Sequence, residues 1–176
     1  MKKQIVLSGV GGQGLISTGE IIGEAASIFE NLNATLTSSY GSETRGTFTK
    51  SDVIISDEMI SYPNVDNPDI ILCLAQVAYD QYVSKFMEST MVFYDSDAVQ
   101  KNAGAKGGHF GYPFRDMSIE LGNLQVGNTI ALGVMIKKAG ILHRDSVLAA
   151  IKSRFEGKQK IIDINEKALD LGLGLE

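Results

Sequence analysis

The chain has 176 residues, which suits one domain with a sizeable core rather than two. Hydrophobic residues make up 44% and charged residues 21%, the balance of an ordinary folded domain, which argues against a disordered chain. The net charge is -5 and no Lys/Arg run exceeds two residues, which excludes a nucleic-acid footprint while leaving room for a phosphorylated small ligand held by backbone N–H groups.

In chain order, the first element is a short buried strand over Ile5–Val10, an apolar run ended by glycines. That stretch turns glycine-rich too soon for a signal peptide, and no apolar run reaches the roughly 18 residues of a membrane span, so a cytoplasmic location away from membranes is expected. Apolar positions at helical spacing place a helix over Leu15–Phe29, with Asn31 and Asn33 at its exit. Ala34–Ser39 is a weaker strand. Thr47–Ile55 is rich in β-branched residues and reads as another, with Ser51-Asp52 as a bulge or turn. Pro63 and Pro68 bracket a loop. Asp69–Ala75 is the clearest buried strand and leads into a helix over Gln76–Met87. Thr90–Tyr94 is a further strand, closed by the turn Asp95-Ser96-Asp97. Lys101–Gly108 is a glycine-rich loop and Gly108–Pro113 a short edge strand. Thr129–Lys138, Arg144–Arg154 and Asn165–Leu171 read as helices. No linker or repeat divides the chain, so residues 1–176 form a single α/β domain of three layers, with helices packed on a largely parallel or mixed sheet.

Few side chains offer metal or redox chemistry. Cys73 is the single cysteine and lies in the apolar run Ile70-Ile71-Leu72-Cys73-Leu74, where a small buried hydrophobe is the expectation. One thiolate does not hold an iron–sulfur cluster. His109 and His143 have no ligand spacing and are taken as surface or turn residues, so no metal site is expected.

Between the first strand and first helix stands Gly9-Val10-Gly11-Gly12-Gln13-Gly14, with the spacing of a dinucleotide fingerprint. Glycines permit the tight turn, and the helix start offers N–H groups and a positive dipole end to an anion. A nicotinamide enzyme would place an acid about 20 residues on, at the end of the second strand. Leu36-Thr37-Ser38-Ser39-Tyr40 supplies none. The alternatives are a turn that meets some other phosphate or a partner's backbone, and a turn that serves only close strand–helix packing. Gln13, a neutral amide at the helix entrance, suits a polar ligand or a partner loop. A second polar loop, Ser39-Tyr40-Gly41-Ser42-Glu43-Thr44-Arg45-Gly46, follows the second strand and should emerge at the same end of the sheet. Its bland alternative is a surface ion pair between Glu43 and Arg45.

Together with Gly127-Asn128-Thr129-Ile130-Ala131-Leu132-Gly133 and Asn165-Glu166-Lys167-Ala168-Leu169-x-x-Gly172, these segments resemble the gamma-subunit family of 2-oxoacid:ferredoxin oxidoreductases. The similarity runs over nearly the whole chain; Thr47 replaces a second glycine after Arg45-Gly46. The resemblance implies a subunit of an enzyme that converts a 2-oxoacid and coenzyme A into acyl-CoA and carbon dioxide and passes electrons to ferredoxin. 2-Oxoglutarate is the favoured substrate, with pyruvate, branched-chain oxoacids and indolepyruvate as alternatives. Alpha and beta subunits, with a ferredoxin-like delta subunit, would be the partners and would carry thiamine diphosphate, magnesium and the iron–sulfur clusters. This chain would hold no cofactor firmly and would be inactive alone. Gly9, Gly11, Gly12, Gln13, Gly14, Ser39, Tyr40, Gly41, Glu43, Arg45, Gly46 and Asn128 would form its ligand or interface surface, with coenzyme A contacted there and Arg45 as the charged contact. Asn128 has a plainer alternative as the N-cap of its helix. A pure assembly scaffold and a free-standing dinucleotide-binding enzyme are the competing functions.

Overall fold

The computed structural model describes residues 1–40 and 47–176. β1 (Lys2–Val10) is buried on both faces: Ile5 and Leu7 enter one core cluster and Val6 the other. A strand covered on both sides has no reason to alternate, hence its continuous apolar run. α1 (Leu15–Glu24) continues through a wider π-helical turn at Ala25–Phe29 before Asn31, at φ 53, ends it. β2 (Asn33–Tyr40) and β3 (Phe48–Ser56) pair as an antiparallel hairpin.

The bulge or turn expected at Ser51-Asp52 does not form. The register of β3 is unbroken, with Leu7 opposite Ser51 and Val6 opposite Asp52. The two polar residues are accommodated within the sheet instead. Ser51 Oγ lies 3.2 Å from Ser38 Oγ, and Lys50 Nζ donates to Asp52 Oδ2 at 2.6 Å.

β4 (Ile70–Cys73), α2 (Gln76–Tyr82) and β5 (Met91–Asp95) follow. α2 is shorter than its sequence pattern, tightening into a single turn at Val83–Lys85 so that Phe86 folds back into the core. β6 (Gly108–Tyr112) forms the far edge. α3 (Phe114–Glu120) has no counterpart in the sequence reading, because seven residues after a proline carry too short a periodicity to register. α4 (Gly127–Ala139), α5 (Arg144–Arg154) and α6 (Gln159–Gly174) complete the chain, α6 starting earlier than its apolar pattern.

The strand order is β2-β3-β1-β4-β5-β6. β1, β4, β5 and β6 pair in parallel, while β3 is antiparallel to both its neighbours, so only β3 runs against the rest. α1, α3, α4, α5 and α6 contribute to the core on one face of the sheet. α2 covers the other with Ala78, Tyr79 and Tyr82. The architecture is therefore three-layered with unequal layers. Among the described residues no helix is long and apolar enough to cross a membrane.

α4 is buried from Thr129 through Ile136, between the sheet and α6. The two helices touch through backbone at Gly133 and Gly172, where a Cβ on either residue would overlap a carbonyl oxygen of the other helix, Leu169 or Ile130 respectively. Thr129 Oγ1 donates to Asn165 Oδ1 at 2.7 Å across the same contact. Gly172→Ala is therefore expected to destabilise the chain by about 1–3 kcal/mol, roughly 3–10 °C in Tm, with no change in secondary structure by circular dichroism.

His109 is not the ordinary surface residue expected. It is half-buried on β6 among Tyr79, Phe86 and Tyr94, with Nε2 3.0 Å from Tyr79 Oη and Nδ1 3.2 Å from Gly107 O. Because a carbonyl only accepts, Nδ1 carries the proton and Nε2 accepts from the tyrosine, which is the neutral ring. Burial lowers the His109 pKa below its ordinary value. The neutral form thus favours folding, and its contribution is complete above about pH 6.5 and is lost as pH falls below that. Tm measured between pH 8 and pH 5 should fall on acidification, and His109→Gln should flatten that fall.

Candidate functional site

The glycine turn is built by steric necessity at three positions. Gly12 and Gly14 sit at φ 91 and φ 73, backbone conformations that only glycine adopts freely. At Gly9, a Cβ would overlap the Gln13 amide. The Gly11 N–H donates to Thr47 O at 3.1 Å, tying the turn to the chain entering β3.

The side-chain amide of Gln13, expected to suit a polar ligand or a partner loop, is bonded within the chain. Its Oε1 accepts from the Val10 N–H at 2.8 Å and its Nε2 donates to Leu74 O at 3.0 Å. The side chain therefore clasps the carboxyl ends of β1 and β4 together, leaving the backbone of the turn as the outward surface.

Nor is Asn128 an N-cap. α4 begins one residue earlier, with Val126 at the cap position and no side-chain cap bond. Asn128 Nδ2 instead donates to Gly14 O at 3.1 Å and Thr18 Oγ1 at 3.0 Å, and its Oδ1 accepts from the Thr129 N–H at 2.9 Å. Gly14 is held to glycine by its positive φ, and a Cβ there would also displace this amide. Gly14 is the N-cap of α1, whose first intrahelical bond is Thr18 N–H to Gly14 O at 2.9 Å. The N–H groups of the first turn precede that bond and lack intrahelical acceptors. The starts of α1 and α4 are thus lashed together.

Two cavities open on either side of this junction. One of about 500 Å³ lies along α1 and α4, bordered by the turn, Thr49, Phe155 and Ile161. The other, about 390 Å³, lies over the ends of β4 and β5, bordered by the turn, Leu74, Asp95 and Arg115. Both border Gly11, Gly12, Gln13, Gln125 and Asn128, so they are two lobes of one cleft. The cleft sits beyond the carboxyl ends of β1 and β4, whose following helices α1 and α2 cover opposite faces, the position where open α/β sheets hold ligands.

Of the residues singled out in the sequence, Gly11, Gly12, Gln13, Gly14 and Asn128 line the cleft, and Gly9 supports it from beneath. Ser39 and Tyr40 end β2 at the same edge, opposite Lys50 and Thr49, but β3 stands between them and the turn. Ser39 is exposed and borders neither lobe. Gly41, Glu43, Arg45 and Gly46 lie outside the described residues. The interposed β3 also argues against a nicotinamide site, in which the acid-bearing second strand lies directly beside the first.

Two site residues went unrecognised. In the sequence Asp95 reads only as a turn residue, and Arg115 belongs to α3, which is too short to register there. Asp95 is 5% exposed; its carboxylate accepts from the N–H groups of Asp97 at 3.0 Å and Arg115 at 3.2 Å. Burial raises its pKa while those N–H groups oppose the shift. Cys73 is buried beside Ser8, and burial pushes its thiol up to about 12, so it is no nucleophile at neutral pH. Among the described residues no group of three or more His, Cys, Asp or Glu is gathered to hold a metal.

The family model of pyruvate ferredoxin/flavodoxin oxidoreductase matches residues 4–175. The chain is 41% identical over 154 residues to the 2-oxoglutarate synthase subunit KorC of Methanocaldococcus jannaschii, covering 86% of this chain and 82% of that one. Its fold superposes on the gamma subunit of a keto/oxoacid ferredoxin oxidoreductase from Geobacter sulfurreducens with a TM-score of 0.83 and 33% identity, covering 97% and 95% of the two chains. It also shares the fold of part of the 2-oxoglutarate:ferredoxin oxidoreductase of Magnetococcus marinus, solved with 2-oxoglutarate, coenzyme A and succinyl-CoA bound. There the TM-score is 0.87 at 24% identity, and the match covers 98% of this chain but 30% of that one.

Asn128→Ala should lower stability by about 1–2 kcal/mol, since it removes both bonds to α1 and takes the acceptor from the N–H of the buried Thr129. Amide hydrogen exchange should quicken in the first turns of both α1 and α4. Acceleration confined to α4 would show that the amide does not couple them.

Proposed function

The chain belongs to the pyruvate ferredoxin/flavodoxin oxidoreductase family, and we propose that it is the gamma-type subunit of a complex that oxidatively decarboxylates 2-oxoglutarate with coenzyme A. The products are succinyl-CoA and carbon dioxide, and two electrons pass to ferredoxin. Preference for 2-oxoglutarate over pyruvate or branched-chain substrates follows the 2-oxoglutarate synthase relative. Alpha and beta subunits, with a ferredoxin-like delta subunit, are the proposed companions, in the cytoplasm.

The redox chemistry belongs to those companions. The residues here do not fit an iron–sulfur cluster, because Cys73 is the single cysteine and its thiol is buried and protonated. What this chain offers is the cleft. The observation that carries the reading is the convergence of the glycine turn with the starts of two helices on a cleft large enough for a nucleotide-sized ligand. The cleft brings together a cationic side chain, Arg115, the first-turn N–H groups of two helices and an apolar wall, a mixture that suits a ligand with both anionic and uncharged parts. Holding coenzyme A there would orient its thiol toward an acyl group formed on a neighbouring subunit, and such positioning contributes several kcal/mol to lowering a barrier. Ser39, Tyr40, Glu43 and Arg45 are proposed to extend the same surface toward the companion, with Arg45 as a charge-assisted contact.

Gln13 and Asn128 both turn inward, which is the specific observation favouring the plainer reading of a scaffold that touches no ligand. The two are separated by expressing the chain alone and with its companions. The isolated chain is expected to show no turnover. The assembled complex should reduce ferredoxin with 2-oxoglutarate and coenzyme A, and Arg45→Ala should raise the KM for coenzyme A without dissociating it. Turnover by the chain alone would overturn the subunit assignment; an unchanged KM in an intact complex would remove Arg45 from the coenzyme site.

A further inference from the structure

The orientation of the coenzyme follows from a difference between the two lobes, and it rests on the coenzyme A reading above. The lobe along α1 is walled by Leu15, Ile16, Val126, Phe155 and Ile161, and none of its described residues is ionisable. The lobe over β4 and β5 borders Arg115 and Asp95. Asp95 is turned to internal use, its carboxylate bound by two backbone N–H groups, which leaves Arg115 as the cation that borders that lobe among the described residues.

Arg115 has no evident role in holding the fold. It is exposed, and among the described residues its guanidinium enters no ion pair. It also lies in the first turn of α3, where the positive end of the helix dipole disfavours a cation and an acid is the usual occupant. A guanidinium at this position makes a cationic lobe next to an apolar one. Coenzyme A has the same asymmetry, a triply phosphorylated adenosine end and an uncharged pantetheine arm.

We propose that Arg115 binds phosphate of the adenosine end in the lobe over β4 and β5, and that the pantetheine arm crosses the Gly11–Gln13 turn into the apolar lobe, presenting the thiol on the side of Phe155 and Ile161. Arg115 is thereby the residue that selects coenzyme A over unphosphorylated thiols, and the acyl-bearing companion meets the chain on the Phe155 side.

The test uses the assembled complex carrying Arg115→Ala or Arg115→Lys, with coenzyme A, dephospho-coenzyme A and pantetheine as acceptors. Loss of a charge-assisted contact should lower kcat/KM for coenzyme A by about tenfold or more in the alanine variant, with the lysine variant recovering part of it. Turnover with pantetheine should not respond. A loss shared by dephospho-coenzyme A assigns the contact to the pyrophosphate; a loss confined to coenzyme A assigns it to the 3′-phosphate. An equal loss with pantetheine, or no loss with coenzyme A, overturns the proposal. Filling the apolar lobe with Ile16→Trp separates it from the reading beneath it. If Ile16→Trp weakens coenzyme A and Arg115→Ala does not, the ligand occupies the cleft without Arg115 and only this proposal fails. If neither variant affects coenzyme A, the cleft is not its site.

Discussion

The side-chain amide of Asn128 is the interaction on which the cleft depends. It reaches from the second residue of α4 to Gly14 O and Thr18 Oγ1 in α1, so two helix starts distant in sequence present their N–H groups to one space. Both lobes border this residue, and without the bond the helices would have only apolar packing to set their approach. Gly14 itself is fixed by its left-handed backbone, and the absence of a side chain there leaves room for the amide. Gln13 acts in the same way on the strands, joining the ends of β1 and β4. Two amides thus set the walls, and the backbone between them is left to face outward.

The sheet arranges the rest. Inserting β3 antiparallel between β2 and β1 moves the end of β2 away from the glycine turn but returns the chain to it at Thr47, which accepts from Gly11 N–H. The hairpin flanks therefore emerge at the edge where the cleft opens. The geometry departs from a dinucleotide fold while keeping the fingerprint's spacing. The spacing reflects what a tight strand-to-helix turn demands of the backbone, and that demand is common to several ligands.

Much of the architecture was legible before any coordinates. α5 was read with the bounds Arg144–Arg154 that the fold has, and β1 and β4 were evident as buried apolar runs because strands covered on both faces have no polar side. The glycine turn was legible too, because φ restrictions are local. α3 escaped because seven residues hold too little periodicity, and the early start of α6 because Gln159 and Lys160 are exposed and polar. Ser51-Asp52 looked like a break in β3 because polar residues are rare in a buried strand; a hydroxyl pair and an ion pair made them acceptable there.

The sequence by itself determined the α/β class, the strand-to-helix turn and the family resemblance, since each depends on residue identity and short spacing. Only the tertiary structure decided what Gln13 and Asn128 do, that Gly133 and Gly172 are points of helix contact, and that Asp95 and Arg115 border the cleft. Those assignments depend on which groups meet across 20 to 114 positions of chain, and spacing along the chain carries no signal of a contact that folding alone creates.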